Sequence, residues 1–332
     1  MQLVSMLVFL TLSIMSSIVM MFVSSIFWVW VMIDISTLFM IPFLAAESRP
    51  KKSWFTGVGV YFVVQFIGSV SILFAMVIDW AFSTSVFCSY VMCLGFSLKL
   101  GLVPLHFWVS RSFAYFHYGG IFVVGAGQKV FVIACVPMFS DVPFCAYLFY
   151  GMAVGSMLYG PVAMFNSILV KSFLAYSSVN HTGFLVITSW FGLHLIYLYS
   201  FIYCVSMMFL TWMLWSGRCV LMKELGTDLP ACYKTGFIAT ALSFSGFPPF
   251  LDFCTKYVVI QIAMEGRAFI AIFAVLASSL MNLIVWIWVT SLAASSGMIS
   301  SLPPSSSLLS DIFNISCISW NLFSGMAFGM LY

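Results

Sequence analysis

The sequence predicts an all-α polytopic membrane protein, and its hydrophobicity is the first reason. The chain has 332 residues, of which 63% are hydrophobic and only 6% are charged, and its mean hydropathy is +1.14. Soluble domains are about 45–50% apolar, so this chain has more apolar residues than a soluble core could bury. Long apolar runs without regular polar alternation favour helices over a barrel with a polar lumen.

The segments that could cross a bilayer follow from the positions of charges, prolines and glycines. A spanning helix needs about 20 apolar residues. Cutting the sequence on this basis predicts eleven spans: 3–24, 26–46, 54–78, 82–108, 119–139, 144–165, 168–190, 193–216, 236–264, 267–294 and 312–332.

Basic residues in the loops predict the orientation. The loops after odd-numbered spans hold only Arg267, whereas the loops after even-numbered spans, or their edges, hold a much larger set. Because basic loops stay on the side of synthesis, we expect the N-terminus and the even loops on that side and the C-terminus on the other. The basic residues of the even loops are Arg49, Lys51, Lys52, Arg111, Lys171, Arg218, Lys223 and Lys234.

Spans 4 and 9 each combine a lysine with proline inside an apolar run. Pro104 follows Lys99 in span 4, and the pair 248–249 precedes Lys256 in span 9. Proline lacks an N–H group and clashes with the carbonyl four residues earlier, so both helices should be broken. The carbonyls expected to be freed are those of Leu100, Phe244 and Ser245.

The spacing of the two broken helices predicts an internal repeat. They lie five spans apart, and because five is odd, two five-span units would insert in opposite senses. Matching broken helices in inverted repeats are typical of secondary transporters. We therefore expect two inverted five-helix repeats, 1–140 and 141–294, followed by a loop and a C-terminal transmembrane helix, 295–332.

Four charged residues lie deep inside predicted spans: Asp34, Lys99, Lys129 and Lys256. Charges in a bilayer are costly, and they usually face the protein interior and mark an ion path. Burial favours the neutral form of a lysine, whereas a nearby acid favours the charged form. A lysine that gains and loses an acid partner can therefore bind and release a proton. The alternative interpretation is that these charges only fix helix packing.

Two further residues are candidates for proton transfer. Asp252 lies four residues before Lys256, so the two side chains should share one helix face and pair; a purely structural cap at the new helix start is the alternative. His181 lies in the middle of a span near Ser177, Ser178 and Asn180, and histidine can titrate near neutral pH. A neutral histidine bonded between helices is the alternative.

Other site types have no support in the sequence. The nine cysteines form no CxxC motif and no Cys/His cluster, so no metal site is expected. No dinucleotide fingerprint is present, and we expect this chain to bind no cofactor. The net charge of +3 is too small to indicate a nucleic-acid partner.

Three motifs resemble those of the antiporter-like membrane subunits of respiratory complex I. They are Lys99–Val109 (KLGLVPLHFWV), Ala175–Gly183 (AYSSVNHTG) and Leu242–Lys256 (LSFSGFPPFLDFCTK), in the expected order. The resemblance implies a proton-translocating subunit that couples NADH oxidation and ubiquinone reduction, performed in other subunits, to proton pumping. A free-standing cation/proton antiporter of the same fold is the alternative.

The resemblance also has implications for residues, partners and location. In the family, a glutamate and three lysines form a polar axis, and the matching positions here are Asp34, Lys99, Lys129 and Lys256, with Asp34 in place of the glutamate. Another departure is Ser110-Arg111, where the family usually has proline and an acid. NADH, FMN, iron–sulfur clusters and ubiquinone would be held by partner subunits. The implied partners are other complex I membrane subunits, including antiporter-like chains, and lipids such as cardiolipin. The implied location is the mitochondrial inner membrane, with the N-terminus on the matrix side.

Overall fold

The structure is a computed structural model that describes residues 2–47, 54–82, 85–139, 143–229, 231–248, 250–295, 312 and 314–321. Within those ranges the chain is almost entirely helical, and the β-type pairing is limited to one isolated bridge between Leu169 and Leu221. The helices are α1 (Gln2–Met20), α2 (Ile26–Glu47), α3 (Trp54–Phe82), α4 (Ser85–Leu100), α5 (Phe107–Phe113), α6 (Tyr118–Phe122), α7 (Gln128–Ile133), α8 (Pro143–Phe165), α9 (Val170–Phe191), α10 (Leu193–Gly217), α11 (Leu225–Asp228), α12 (Ala231–Ser245), α13 (Leu251–Glu265) and α14 (Phe269–Ser295).

The outer surface of the bundle is apolar, as expected for a chain surrounded by lipid. Helix α3 exposes Phe62, Phe66 and Phe74 while it buries Gln65 and Ser69, which is the reverse of a soluble amphipathic helix. Six described helical segments are long and apolar enough to cross a bilayer: Ile26–Ala45, Thr56–Ala81, Tyr118–Met138, Phe144–Phe165, Leu193–Gly217 and Phe269–Ala294. These features confirm the prediction of a polytopic helical membrane protein.

Predicted spans 1 to 10 each overlap helices of the described residues, and both predicted helix breaks are present. Span 4 corresponds to α4, but α5, which follows the break, ends at Phe113 and lies mostly beyond the predicted end at 108; span 9 consists of α12 and α13. Span 5 consists of α6, a π-helical turn (Val123–Gly127), α7 and a 3₁₀ turn (Val136–Phe139). Span 1 is shorter than predicted, because α1 ends at Met20. Most of span 11 and loop 295–311, and the loop that contains Arg49, Lys51 and Lys52, lie outside the described residues.

Both helix breaks contain a glycine with positive φ, and donors from other parts of the chain reach the nearby carbonyls. At the second break, Asn282 donates to Phe244 O at 3.2 Å and Lys256 donates to Ser245 O at 3.4 Å, the carbonyls predicted to be free. At the first break, Trp108 Nε1 donates to the carbonyl of residue 98 and Gln65 Nε2 donates to the carbonyl of residue 99. These two carbonyls come just before that of Leu100, which was the one predicted to be free. Irregular backbone at membrane depth is thus satisfied from inside the protein.

Helix pairing places α9 at the centre of the molecule. Helices α1 and α2, α3 and α4, and α8 and α9 form the most extensive pairs. Helix α9 is buried along most of its length and also contacts α5, α7, α10 and α13. It therefore connects the part of the bundle that contains Lys129 to the part that contains Lys256.

Candidate functional site

The first buried charge pair joins three helices. Lys99 Nζ on α4 donates hydrogen bonds of 2.7 Å to Asp34 Oδ1 on α2 and to Ser69 Oγ on α3. The Ser69 hydroxyl also donates to the Asp34 carboxylate. The Lys99 side chain is 1% exposed and the Asp34 side chain is 24% exposed. The acid therefore has access to the outside of the chain, whereas the base does not.

Close contact between α3 and α4 makes this pair possible. A Cβ atom on Gly95 would lie 3.0 Å from the Gly68 carbonyl oxygen, and a Cβ on Gly68 would lie 3.0 Å from Lys99 Cγ. Because neither position has a side chain, the helix backbones approach closely enough for the Lys99 ammonium to reach Ser69 and Asp34. Two small residues on facing helices are a common device for close packing in membranes.

A pocket lies on the outer side of Asp34. It has a volume of about 160 Å³, and its lining includes Asp34, Thr37, Ser69 and the exposed rings of Phe62 and Phe66. A partly exposed carboxylate between aromatic side chains is unusual at membrane depth, where charges normally face the protein interior.

Lys129 is buried and has no acid partner among the described residues. It lies on α7, directly after the π-helical turn and Gln128, and is 3% exposed. Its ammonium donates a hydrogen bond of 3.2 Å to Ser178 Oγ on α9. The ion pairs found in the described ranges involve the other two buried lysines. A desolvated ammonium with a single neutral acceptor is costly for the fold, which favours a functional reason for its presence.

An internal cavity separates Lys99 from Lys129. Its volume of about 20 Å³ is sufficient for one water molecule. Both lysines line it, together with Tyr61, Gln65 and Gln128. Tyr61 donates to Gln128 Oε1 at 2.7 Å, so the cavity has a polar wall.

Sequence reasoning missed three residues that lie around the cavity or beside the first ion pair, although the sequence contains a signal for them. Tyr61, Gln65 and Ser69 recur every four residues in α3, which is otherwise almost wholly apolar. Residues at this spacing share one helix face, and a polar stripe on a membrane helix normally faces the protein interior.

His181 lies on α9 among aromatic side chains. Its Nδ1 atom is 2.8 Å from the Tyr199 hydroxyl, and its ring stacks on Tyr203 with a centroid distance of 4.9 Å and contacts Phe244 at 4.1 Å. The residue follows Ser178 by three positions, so it shares a helix face with the hydrogen-bond partner of Lys129.

The second ion pair is enclosed. Lys256 Nζ lies 2.8 Å from Asp252 Oδ2, and their side chains are 4% and 3% exposed. The pair has the i,i+4 geometry that the sequence predicted. Lys256 also lies 5.2 Å from the centre of the Phe184 ring, so a carboxylate, a carbonyl and an aromatic face surround its charge. Asp252 is in the first turn of α13, where the helix dipole favours an anion.

Gly246 determines the space available to Lys256, and an alanine there is predicted to disturb both backbone and lysine. Gly246 has φ of +80°, and a Cβ at this position would lie 2.8 Å from Lys256 Nζ. We expect Gly246→Ala to lower the stability of the purified protein by about 1–2 kcal/mol, because the left-handed backbone disfavours a side chain. Thermal denaturation in mild detergent measures the effect.

The matched control for that prediction is Gly59→Ala. A Cβ on Gly59 in α3 would meet no atom within 4 Å, and alanine is a better helix former than glycine. This variant should therefore keep or slightly raise the stability. Equal stability of the two variants would contradict the assigned role of Gly246.

Comparison with known families shows to which family the chain belongs. A family model described as "NADH:quinone oxidoreductase/Mrp antiporter, TM" matches residues 23–282. The chain belongs to this antiporter family. The match includes all six candidate residues, Asp34, Lys99, Lys129, His181, Asp252 and Lys256, and it confirms the resemblance that the three motifs indicated.

Individual relatives in the antiporter family share the same length range. Proteins named NADH-ubiquinone oxidoreductase chain 2 from Osphranter robustus and Danio rerio are each 27% identical, covering 76% and 72% of this chain and 75% and 71% of the relatives. The relative with that name from Lumbricus terrestris is 24% identical and covers 80% of both chains.

Solved structures of antiporter-family complexes share the fold. A chain of respiratory complex I from Thermus thermophilus with bound Aureothin superimposes with a TM-score of 0.81 at 15% identity, covering 98% of this chain and 79% of the other. A chain of the Mrp complex from Dietzia sp. DQ12-45-1b gives a TM-score of 0.77 at 14% identity, covering 92% and 72%. At this identity the comparison establishes a shared fold.

Proposed function

We propose that this chain is a proton-translocating membrane subunit of a respiratory NADH:ubiquinone oxidoreductase. The observation that carries the proposal is the series of buried charged and titratable side chains between Asp34 and Lys256, in a chain of this family. Each lysine in the series is within bonding distance of an acid or hydroxyl group, so each can hold a proton in the bundle interior.

The geometry supports a route for the proton through the interior. Asp34 stabilises the charged form of Lys99, so weakening this ion pair makes Lys99 a better proton donor. The cavity between the two lysines has room for one bridging water on the way to Lys129. Beyond Lys129, the route follows α9 to His181 and ends at the pair of Asp252 and Lys256.

Architecture and location form part of the same proposal. The chain has eleven transmembrane helices in two inverted repeats, 1–140 and 141–294, and a C-terminal segment, 295–332. Support comes from the two broken helices, each with a glycine at positive φ, Gly101 at +70° and Gly246 at +80°. The membrane is the mitochondrial inner membrane, with the N-terminus and the even loops in the matrix.

The partners in this proposal supply the redox chemistry. Other subunits hold FMN, the iron–sulfur clusters and the ubiquinone site, and they oxidise NADH. Neighbouring antiporter-like membrane chains contact this chain. Each proton moved against 100 mV costs about 2.3 kcal/mol, and this energy reaches the buried lysines through subunit contacts.

A native gel of gently solubilised inner membranes tests the proposal. We expect this chain, identified by mass spectrometry, only in the large band that stains for NADH dehydrogenase activity. An unrelated inner-membrane protein followed on the same gel controls for trapping. Recovery of the chain alone, away from that activity, would instead indicate a free-standing cation/proton antiporter.

A further inference from the structure

The buried side chain of Tyr203 connects α10 to the π-helical turn that precedes Lys129. Its hydroxyl donates a hydrogen bond of 3.0 Å to the carbonyl oxygen of Gly125, inside the turn Val123–Gly127. Met207 lies one helical turn further along α10, and its Cε atom would be 3.6 Å from a Cβ on Gly125. Helix α10 therefore contacts the π-helical turn at two successive positions.

The ring of Tyr203 is itself held in place, so its hydroxyl has a fixed direction. The ring stacks on His181 with a centroid distance of 4.9 Å and an interplanar angle of 25°, and its centre lies 5.9 Å from that of the Phe244 ring. All three side chains are buried. Rotation of the Tyr203 side chain would break these ring contacts, so the hydroxyl stays directed at the carbonyl of Gly125.

The π-helical turn determines the direction in which Lys129 points. The Gln128 N–H donates to the carbonyl of Val123, five residues earlier, whereas an α-helix pairs residues four apart, so this turn contains one extra residue. If the turn closed to an α-helical turn, the residues after it would rotate by about 100° and shift by about 1.5 Å along the helix axis. Lys129 would then no longer face Ser178 on α9, its hydrogen-bond partner at 3.2 Å.

We propose that Tyr203 is a positioning residue for Lys129. Its hydroxyl keeps the π-helical turn open, and the open turn keeps the Lys129 ammonium directed at Ser178. The segment that would otherwise rotate is short, because α7 comprises only Gln128–Ile133. This inference rests on the proposed function, in which Lys129 carries a proton.

Tyr203→Phe tests this role, because it removes the hydroxyl and keeps the ring on His181. Losing one hydrogen bond to a buried carbonyl shifts a conformational equilibrium by about ten-fold, so we expect the turn to close and the number of protons pumped per NADH in proteoliposomes to fall by about two-fold or more. Electron cryo-microscopy of the assembled variant should show residues 123–127 as an α-helical turn, with Lys129 Nζ beyond hydrogen-bonding distance of Ser178 Oγ.

Tyr118→Phe is the matched control. The Tyr118 hydroxyl also donates to a backbone carbonyl, that of the buried residue Cys219, at 2.6 Å, but Tyr118 begins α6 and lies outside the π-helical turn. Both variants should lose a similar amount of thermal stability, whereas pumping should fall only in Tyr203→Phe. Equal pumping by the two variants would overturn the proposal.

Deletion of Gly127 from the Tyr203→Phe variant should restore pumping. The deletion removes the extra residue, so the Val123 carbonyl and the Gln128 N–H become an ordinary α-helical pair, and Lys129 keeps its direction without the hydroxyl. A Cβ on Gly127 would meet one atom within 4 Å, Cγ1 of Val123 in its own helix, so the deletion removes little packing against other helices. A purely structural role of Tyr203 predicts no such rescue.

Lys129→Met separates this inference from the proposed function. An unchanged number of protons per NADH in Lys129→Met would overturn the proposed function and this inference with it. A fall in Lys129→Met without a fall in Tyr203→Phe would overturn this inference alone. A π-helical turn that persists in Tyr203→Phe would also overturn it.

Discussion

Lys129→Met is expected to stop proton transfer through this chain while leaving the complex assembled. Methionine resembles lysine in length but cannot carry a proton, and loss of an acid–base group typically slows a proton-transfer step by about 10²-fold or more. NADH oxidation and acidification measured together in proteoliposomes give the number of protons per NADH. We expect this ratio to fall.

The local structure indicates that Lys129→Met costs little stability. Ser178 loses a hydrogen-bond donor but still donates to Ala175 O at 2.8 Å. The substitution also removes a buried charge that no described carboxylate balances, and replacing such charges with apolar groups is often neutral or stabilising. Lys223 is exposed in the described structure, and Lys223→Met is the matched control.

Two results would count against the proton-transfer role of Lys129. An unchanged number of protons per NADH in Lys129→Met would show that protons bypass this residue. Loss of the assembled band on a native gel, with normal pumping by the fraction that does assemble, would show that Lys129 serves helix packing.

The second large effect is expected at the enclosed pair of Asp252 and Lys256. Asp252→Asn leaves the Lys256 ammonium buried without its carboxylate, and breaking a buried pair from one side typically costs 3–5 kcal/mol. The double variant Asp252→Asn/Lys256→Met removes both charges, so it should recover most of that loss. Thermal denaturation of the purified complex measures Asp252→Asn, Lys256→Met and the double variant. All three variants should pump fewer protons.

The control for this double-mutant cycle is Asp79→Asn, because Asp79 is exposed near the end of α3. It should leave stability and pumping unchanged. Destabilisation of the double variant by the sum of its single effects would show that the two charges act independently. Normal pumping by the double variant would exclude the pair from the proton route.

Local sequence rules predicted the features that depend on neighbours in the chain. Proline chemistry located both helix breaks, and the i,i+4 spacing predicted the contact between Asp252 and Lys256. Lys99 and Asp34 are 65 residues apart, and no local pattern predicts their contact. The cavity beside Tyr61 and Gln128 depends on how α2, α3, α4 and α7 pack, which no local pattern specifies.

The π-helical turn shows a different limit of sequence reasoning. Val123–Gly127 reads as ordinary apolar helix, yet it adopts the wider turn directly before Gln128 and Lys129. Such turns are rare and frequently occur at functional sites. The Tyr203 hydroxyl donates to Gly125 O at 3.0 Å, so a residue far away in the sequence helps to satisfy this turn.

The unequal exposure of the two acids gives the chain an electrical asymmetry. Asp34 is 24% exposed beside an open pocket, whereas Asp252 is 3% exposed. An external charge acts on a site more strongly at short range, so a charge brought to the α2–α3 side changes the energy of the first pair far more than that of the second. A charge outside the chain can therefore change the energy of the ion pair that contains Asp34, whereas the pair that contains Asp252 is shielded from such a charge.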